Sequence, residues 1–453
     1  MQDTQSARSA HWHGFTQMAH YDPLVINRAE GAWLTTADGR QLLDGVASLW
    51  CNVHGHARQE INEAIKEQLS RVAHVTTLGM SCDTTESLAD ELAKRTPGDL
   101  SHVFFSSDGS SAVEAAIKMA FQFWQQRAQP KVQKTKYLAL NLAYHGDTTG
   151  AVSLGGIEYF HQLFSPILFS PIRGPLPCTY RLPRDVDIEG AAEYYLSQME
   201  ALLIEHHEEL AAVVMEPLVQ GAAGMITHPK GFLRGVRALC DRYDVLLVCD
   251  EVATGFGRTG TMFACEQEDV TPDILCLGKG LTGGYLPMAA TIAVPKVYEA
   301  FLAPVESSKQ FFHGHTFAGN PLAAAAALAS LDLFDQEQPV LSVPAKGNYL
   351  RNRFRALNDH PHVGCVRGRG LMFGIELVQD SESKQPLDPA LLLGRKICQL
   401  ATDRGVWIRP LGDVIVLMPP LSINQSELAI LADVVIESIE EVASGLASRS
   451  SCG

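Results

Sequence analysis

Paired cysteines are missing from this sequence. Its ten cysteines are scattered along the chain without a C-x-x-C pair, and several lie inside apolar runs. A structural zinc site or a disulfide framework needs cysteines at short, regular spacings. We therefore expect reduced thiols that pack in the core of a cytosolic protein, with no metal site. The cysteines are Cys51, Cys82, Cys178, Cys240, Cys249, Cys265, Cys276, Cys365, Cys398 and Cys452.

A basic cluster is missing as well. The chain has 36 Lys and Arg residues against 51 Asp and Glu residues, which gives a formal net charge of −15 at pH 7. No run of Lys and Arg forms a stripe that could neutralise a phosphate backbone. We therefore expect no nucleic-acid partner.

Long apolar segments are also absent. No uninterrupted apolar segment in the 453 residues approaches the roughly 18 residues that a membrane-spanning helix needs. The polar stretch MQDTQSARSAHWHGFTQ at the N-terminus lacks the apolar core of a signal peptide. We expect a soluble, cytoplasmic protein without a membrane partner.

The sequence does contain a series of short apolar runs, separated by stretches of helical periodicity. Continuous apolar runs indicate strands covered on both faces, and intervening helices make such a sheet largely parallel. The pattern predicts an α/β architecture, and the length suggests two domains or one large domain with an extension. The predicted strands cover residues 102–105, 137–140, 211–215, 245–249, 274–277 and 289–294.

Four other segments have a distinct composition or periodicity. The alanine-rich stretch 320–334, with Pro321 near its start, predicts a long buried helix. Residues 171–187, rich in Pro and Arg, predict a long surface excursion. From about residue 340 the pattern changes to the short strands and helices of a smaller α+β domain. A further helix is predicted after Ser110, with a sheet-packing face made of Val113, Ile117, Ala120, Phe121 and Trp124.

A single lysine, Lys279, follows one predicted strand in the glycine-rich stretch DILCLGKGLTGG. A phosphate-binding G-x-x-x-x-G-K-[ST] loop is excluded, because the chain has Asp273 and Gly280 where that pattern needs a glycine and a hydroxyl residue. The stretch TGFGRTG spells G-x-G-x-x-G and leaves a nicotinamide-dependent oxidoreductase as an alternative, although TMFACEQ after it is a weak helix start. A surface lysine in a glycine turn is the other alternative.

An acidic residue, Asp250, ends the strand that precedes Lys279 by 29 residues. Loops at the carboxyl ends of parallel strands are where such folds bind ligands. Pyridoxal phosphate chemistry needs a lysine amine for a Schiff base and an acid that keeps the pyridine nitrogen protonated. Asp250 and Lys279 suit these two roles, although Asp250 could instead cap its turn.

Two further strand ends carry candidate residues. In VFFSSDGSSAVEAAIK, Gly109 and Ser110 open a helix whose backbone N–H groups could bind a phosphate. In NLAYHGDTTG, Tyr144 and His145 stand where an aromatic ring could cover a cofactor. Ser110 could instead cap its helix, and the other two could be packing residues. Their joint occurrence at successive strand ends favours a cofactor site.

These stretches together resemble the class III pyridoxal-phosphate aminotransferases of fold type I. The motifs that carry the resemblance are DEVATGFGRTG, LGKGLTGGYLPMAA, EPLVQGAAGM, AYHGDTTGA and FHGHTFAGNP, and they are spread over nearly the whole chain. The resemblance implies a large, mainly parallel sheet domain over residues 63–334. It also implies a smaller α+β domain built from residues 1–62 and 335–453, and a homodimer with a shared active site.

The resemblance implies roles for residues around the cofactor. Lys279 matches the Schiff-base lysine, Asp250 the partner of the pyridine nitrogen, and Val252 a residue against the ring face. Gly109 and Ser110 match the phosphate-binding residues.

Other matching residues lie in two loops. Tyr144 matches an aromatic residue that stacks on the cofactor ring and lines the substrate site, and His145 follows it in the same turn. Gly314, His315 and Thr316 match a loop that reaches the cofactor phosphate of the neighbouring subunit, with Gly314 also near the substrate. This loop is the reason why the active site is expected to need a homodimer.

Within the family, the sequence resembles most the biotin-pathway group that converts 8-amino-7-oxononanoate to 7,8-diaminononanoate. The amino donor of that group is S-adenosylmethionine or, in some members, lysine. Shared phrases include HWHGFTQM, DGVASLWCNVHGH and WIRPLGDVIVLMPPL. Arg409 matches an arginine that receives a substrate carboxylate. The implied substrate pocket also contains Phe15, Leu49 and Trp50, with Asp147 as a supporting residue.

Three positions depart from the members that use S-adenosylmethionine. Those members often have tyrosine, tryptophan and tyrosine where this chain has Phe15, Leu49 and Val416. The pocket set also resembles that of broad-specificity ω-amine:pyruvate transaminases, which remain an alternative. A non-catalytic binding protein with this fold would be expected to lack Lys279 or Asp250, and this chain has both.

Overall fold

The N-terminal part of the chain forms a small antiparallel sheet followed by two helices. The computed structural model describes residues 10–22 and 24–450, with side chains described as far as residue 444. Cys452 and the first nine residues lie outside this part. The elements are strands β1 (Ile26–Glu30), β2 (Trp33–Thr36) and β3 (Gln41–Asp44), the helical turn α1 (Ala47–Trp50), and helices α2 (Gln59–Arg71) and α3 (Asp83–Arg95).

A seven-stranded sheet lies at the centre of the described chain. Its region contains strands β4 (His102–Ser106), β5 (Lys136–Leu140), β6 (Ile172–Gly174), β7 (Leu210–Met215), β8 (Val219–Gln220), β9 (Ile226–Thr227), β10 (Leu246–Asp250), β11 (Ile274–Leu277) and β12 (Ala289–Ala293). Its helices are α4 (Gly109–Gln126), α5 (Thr149–Leu154), α6 (Glu158–His161), α7 (Ala191–His206), α8 (Phe232–Arg242), α9 (Pro295–Tyr298) and α10 (Pro321–Glu337). The last part contains α11 (Val343–Arg353), β13 (Val363–Arg369), β14 (Met372–Leu377), α12 (Leu393–Asp403), β15 (Val406–Trp407), β16 (Arg409–Leu411), β17 (Val414–Leu417) and α13 (Gln425–Ser450).

The strand order in the central sheet is β4-β12-β11-β10-β7-β5-β6. The five strands from β11 to β6 run parallel, whereas β12 is antiparallel to both of its neighbours. All residues of β7, β10, β11 and β12 are buried, because helices cover both faces of the sheet. The six predicted strands and the α/β architecture are confirmed.

Two details of the prediction are wrong. Residues 171–187 were expected to be a surface excursion, but residues 172–174 form β6 and pair in parallel with β5, with Gly174 buried. A three-residue edge strand is too short for its periodicity to be visible in a Pro-rich stretch. In α4, Phe121 was expected on the packing face, but it is 40% exposed, while Trp124 is buried and donates from Nε1 to the carbonyl of Ala211.

The two ends of the chain meet in one sheet. Strand β15 pairs in parallel with β3, which joins residues 406–407 to the N-terminal sheet in the order β1-β2-β3-β15. The nearby strands form a separate antiparallel sheet in the order β13-β14-β17-β16. This pairing agrees with a small domain built from both ends, and the boundaries at residues 62 and 334 stay predictions.

The nine cysteines of the described chain are free thiols, and all but Cys51 and Cys365 are buried. Within the described residues, no helix combines the length and apolar character needed to cross a bilayer.

The predicted alanine-rich helix is confirmed as α10, and its first turn is capped. The side-chain oxygen of Asn320 accepts from the N–H groups of Leu322 and Ala323, at 3.0 and 3.2 Å. Pro321 takes the first helical position, where its missing N–H has no cost. The helix packs against α2 and α3 and joins the N-terminal helices to the central region.

We expect Asn320→Ala to lower the free energy of unfolding by about 1 kcal/mol, because two N–H groups at the start of α10 lose their acceptor. Thermal or denaturant unfolding measures the effect. Asn320→Ser, which keeps a capping oxygen, serves as the matched control and should lose much less. Equal losses in the two variants would contradict the capping role.

Candidate active site

The carboxyl ends of the parallel strands open into a cavity of about 710 Å³. Its walls contain ten of the residues that the sequence singles out, drawn from five separate segments. These residues are Leu49, Trp50, Gly109, Ser110, Tyr144, His145, Asp147, Asp250, Val252 and Lys279. Other lining residues that sequence reasoning did not select include Cys51, Ser107, Thr148, Glu216 and Tyr285.

Lys279 lies two residues beyond the end of β11, with a positive φ of 42°. Its amine has no hydrogen bond within the described chain, and its Nζ lies 5.3 Å from the centroid of the Trp50 ring. Burial lowers the pKa of Lys279, while the nearby carboxylates Asp250 and Glu216 act in the opposite direction. A lysine of lowered pKa has a larger neutral fraction at neutral pH and is therefore a better nucleophile.

Asp250 ends β10, the parallel neighbour of β11, and is buried. Its Oδ2 lies 2.8 Å from Nδ1 of His145, and its Oδ1 accepts from the N–H of Val252 at 3.0 Å. The other ring nitrogen of His145, Nε2, is buried and has no partner in the described chain. The carboxylate is thus held in a fixed orientation by its own turn and by the turn after β5.

Glu216 is a buried acid that sequence reasoning missed. It directly follows β7, as Asp250 ends β10, so the same strand-end pattern was a signal that could have found it. Its oxygens accept from the N–H groups of Tyr144 at 3.3 Å and Gly221 at 2.8 Å. Burial raises its pKa to about 7, with His145 opposing the shift. Glu216 therefore ties the turn after β5 to the turn after β7.

The start of α4 presents unpaired backbone N–H groups to the cavity. Asp108, and not Ser110, caps this helix by accepting from the N–H of Ser111 at 2.9 Å. The N–H groups of Gly109 and Ser110 have no acceptor in the described chain. A Cβ at Gly109 would lie 2.5 Å from Cγ1 of Val252, so only glycine lets the two turns approach this closely. An anion is favoured at such a helix start.

The Ser110 hydroxyl faces the turn after β5, where it lies 2.7 Å from the Thr148 hydroxyl and accepts from the Thr148 N–H at 3.0 Å. In the same turn, the Tyr144 hydroxyl donates to Oδ2 of Asp147 at 2.8 Å. Burial, with a smaller contribution from Asp147, raises the pKa of Tyr144. Tyr144 therefore stays a neutral donor throughout the physiological range.

Six predicted site residues do not line this cavity. Phe15 is 67% exposed and packs edge-on against Phe160, with ring centroids 5.4 Å apart. In the 314–316 loop, His315 lies 3.2 Å from the hydroxyl of Ser107, whereas Gly314 and Thr316 are exposed. On the antiparallel sheet, Arg409 is exposed and lies opposite the buried Val416.

The residues around the cavity fit pyridoxal phosphate. This cofactor would need a free amine for its aldehyde, a carboxylate for its pyridine nitrogen and N–H donors for its phosphate. Lys279, Asp250 and the start of α4 provide these three features, and all three lie in the wall of the same cavity. His145 also lines the cavity, and its buried Nε2 has no hydrogen-bond partner in the described chain, so it can still bond to a polar group of a bound molecule.

Comparison with known proteins agrees with this geometry. Residues 16–439 match the family model described as aminotransferase class-III. An adenosylmethionine-8-amino-7-oxononanoate aminotransferase of Geobacter sulfurreducens is 48% identical over 98% of this chain and 99% of that protein.

Two solved structures are also similar. The adenosylmethionine-8-amino-7-oxononanoate aminotransferase of Methanocaldococcus jannaschii has a TM-score of 0.90 at 43% identity, covering 95% of this chain and 97% of that one. A PLP-bound amine transaminase from an uncultivated Pseudomonas species has a TM-score of 0.92 at 35% identity, covering 96% and 99%. This chain therefore belongs to the class III aminotransferases, which depend on pyridoxal phosphate.

Proposed function

We propose that this enzyme transfers an amino group to 8-amino-7-oxononanoate and so forms 7,8-diaminononanoate, a step of biotin synthesis. The amino donor is S-adenosylmethionine or lysine. The observation that carries the proposal is the 48% identity to a protein of that name over 98% of the chain, in an enzyme whose lysine and aspartate share one cavity. The reaction follows a ping-pong order, in which the donor gives up its amino group and leaves as a carbonyl product before the acceptor binds.

We assign the cofactor contacts from the same cavity. Lys279 would hold pyridoxal phosphate covalently, and Asp250 would face the pyridine nitrogen. Gly109 and Ser110 would bind the phosphate, while Val252 and Tyr144 would cover the two ring faces. When bound, the cofactor supplies the electron sink that stabilises negative charge at the amine-bearing carbon.

Residues of the cavity accept and hold the protons that move during the reaction. The neutral Nζ of Lys279 accepts the proton of the donor's amine-bearing carbon, and its lowered pKa keeps it available for this step. Asp250 would keep a proton on the pyridine nitrogen of the bound cofactor, and His145 at 2.8 Å fixes the orientation of that carboxylate. Trp50 and Leu49 form part of the wall that a substrate chain would contact.

We also propose a homodimer. The 314–316 loop does not line the cavity of its own chain, which is compatible with its contributing Gly314, His315 and Thr316 to the partner's phosphate site. Large apolar side chains near this loop are exposed in the single chain, namely Leu78, which approaches Gly314, and the loop's chain neighbours Phe312 and Phe317. Burying such a patch against a second copy would remove apolar surface from water. The domain boundaries and a cytoplasmic location stay predictions.

A second candidate function is a broad-specificity ω-amine:pyruvate transaminase. It is favoured by the apolar, half-exposed Leu49 in the cavity wall, and by the 35% identity to an amine transaminase. In either function we assign the substrate carboxylate to Arg409, which is exposed on β16 but does not line the cavity of the single chain.

A half-reaction screen separates the two functions. The protein loaded with pyridoxal phosphate is mixed separately with S-adenosylmethionine, lysine, alanine and 1-phenylethylamine, and conversion of the cofactor to its amino form is followed by absorbance. We expect S-adenosylmethionine or lysine to convert the cofactor, and added 8-amino-7-oxononanoate to reverse the change. Conversion by alanine and 1-phenylethylamine alone would contradict the biotin-pathway assignment and support the alternative.

We expect Asp250→Asn to lower kcat by at least about 10²-fold, because a neutral amide does not hold a proton on the pyridine nitrogen. Glu251→Gln is the matched control. Its carboxylate is also buried, but it accepts from the N–H groups of Ala264 and Cys265 and does not line the cavity. That control should unfold more easily yet keep kcat within about threefold. Similar kcat losses in both variants would contradict the role of Asp250.

A further inference from the structure

The loop after β3, residues 45–52, includes the short turn α1 and has an unusual backbone. Ala47, Ser48 and Trp50 have positive φ values of 48°, 62° and 66°, although none of them is glycine. In this region the Cβ of an L-residue approaches its own backbone, so each of these residues raises the energy of the loop. Such a run persists only where surrounding contacts compensate for the strain.

A fully buried carboxylate, Asp44, provides those contacts. Its Oδ1 accepts from the N–H of Val46 at 3.2 Å, and its Oδ2 accepts from the N–H of Ser48 at 2.7 Å. Hydrogen bonds to an ionised acceptor are stronger than those between neutral groups. Asp44 therefore bonds directly to one of the strained residues and to the residue that precedes them.

A histidine connects the two ends of the loop. Nε2 of His56 lies 3.0 Å from Oδ2 of Asp44, and the side-chain amide of Asn52 lies 2.9 Å from Nδ1. With the Asn52 amide donating to Nδ1, the proton on Nε2 is donated to Asp44. The carbonyl of Asn52 also accepts from the buried guanidinium of Arg258 at 3.2 Å. The strained loop is thus fixed at its beginning by Asp44 and at its end by Asn52.

The fixed loop forms one wall of the active-site cavity. It places the Trp50 ring 5.3 Å from Nζ of Lys279, and a Cβ at Gly221 would lie 3.2 Å from Cζ3 of that ring. Leu49, with an extended φ of −143° between two left-handed residues, lines the cavity and is 49% exposed. Relaxing the strained residues would change the direction of both side chains, because the backbone on each side of Leu49 would rotate.

We propose that Asp44, together with His56, is a positioning residue for the aminotransferase reaction, because it holds residues 46–52 in the strained form that places Trp50 against Lys279 and Leu49 in the substrate wall. Asp44 itself does not line the active-site cavity. The proposal rests on the role assigned to Lys279, but it does not depend on which amine is the natural donor.

The test compares Asp44→Asn with the parent protein in two measurements. Without cofactor, acrylamide quenching of the Trp50 fluorescence is taken as the difference between each protein and the same protein with Trp50→Phe. With cofactor, kcat and KM are measured for whichever amine is active in the half-reaction screen. We expect Asp44→Asn to make Trp50 more accessible to acrylamide and to reduce kcat/KM roughly tenfold or more, with bound cofactor retained.

A second change distinguishes positioning from general stability. Glycine adopts a positive φ without the Cβ penalty, so adding Ser48→Gly to Asp44→Asn should restore at least about threefold of the lost kcat/KM and reduce the quenching. Asp273→Asn is the control. Asp273 is also buried and accepts from the backbone, through the N–H of Leu247 at 2.7 Å, but it lies at the opposite end of β11 from Lys279. This control should lower stability without changing the quenching of Trp50.

Unchanged Trp50 quenching in Asp44→Asn would overturn the proposal. An equal increase in Trp50 quenching in Asp273→Asn would also overturn it, as would a failure of Ser48→Gly to restore kcat/KM. If Asp44→Asn does not fold, His56→Ala replaces it, since that side chain is partly exposed and alanine has no polar atom that could connect Asn52 to Asp44. It should increase the quenching in the same direction, and an unchanged value would again overturn the proposal. The fluorescence arm uses protein without cofactor, so an error in the proposed substrate leaves its outcome intact.

Discussion

The active site depends on one electrostatic interaction, between the buried amine of Lys279 and the buried acids Asp250 and Glu216. Burial alone favours the neutral amine, and the nearby Asp250 and Glu216 limit that effect. The balance requires that Lys279 and both acids stay at fixed separations. Parallel strands meet this requirement, because β7, β10 and β11 are neighbours in the sheet. Glu216, Asp250 and Lys279 lie at the carboxyl ends of these strands and therefore at the same edge of the sheet.

The turns at that edge are fixed to one another by contacts of the same kind. Glu216 joins the turns after β5 and β7 through two backbone N–H groups, and His145 joins the turn after β5 to Asp250. Gly109 allows the start of α4 to approach Val252. The floor of the cavity is therefore built from strand ends whose turns are hydrogen-bonded to one another, while one of its walls comes from the strained loop after β3.

Much of the floor could be predicted from the sequence, since it depends on local patterns. Apolar runs identified the six principal strands, and a charged residue at a strand end identified Asp250 and Lys279. Local patterns did not predict long-range features, and only the resemblance to the family implied that the two ends of the chain form one small domain. The pairing of β15 with β3 joins residues more than 350 positions apart, and nothing near residue 406 encodes its partner. The left-handed run at Ala47, Ser48 and Trp50 is equally hidden, because none of these residues favours positive φ and its cause is a contact with Asp44 and His56.

The attachment of the cofactor to Lys279 is the central claim, and reductive trapping tests it most directly. The protein loaded with pyridoxal phosphate is reduced with borohydride, which fixes the cofactor to the amine that holds it, and is then digested and analysed by mass spectrometry. The structure predicts a pyridoxyl group on the peptide that contains Lys279 and no label on any other lysine peptide. A label on a different lysine, with Lys279 recovered unmodified, would contradict the assignment of this cavity as the active site.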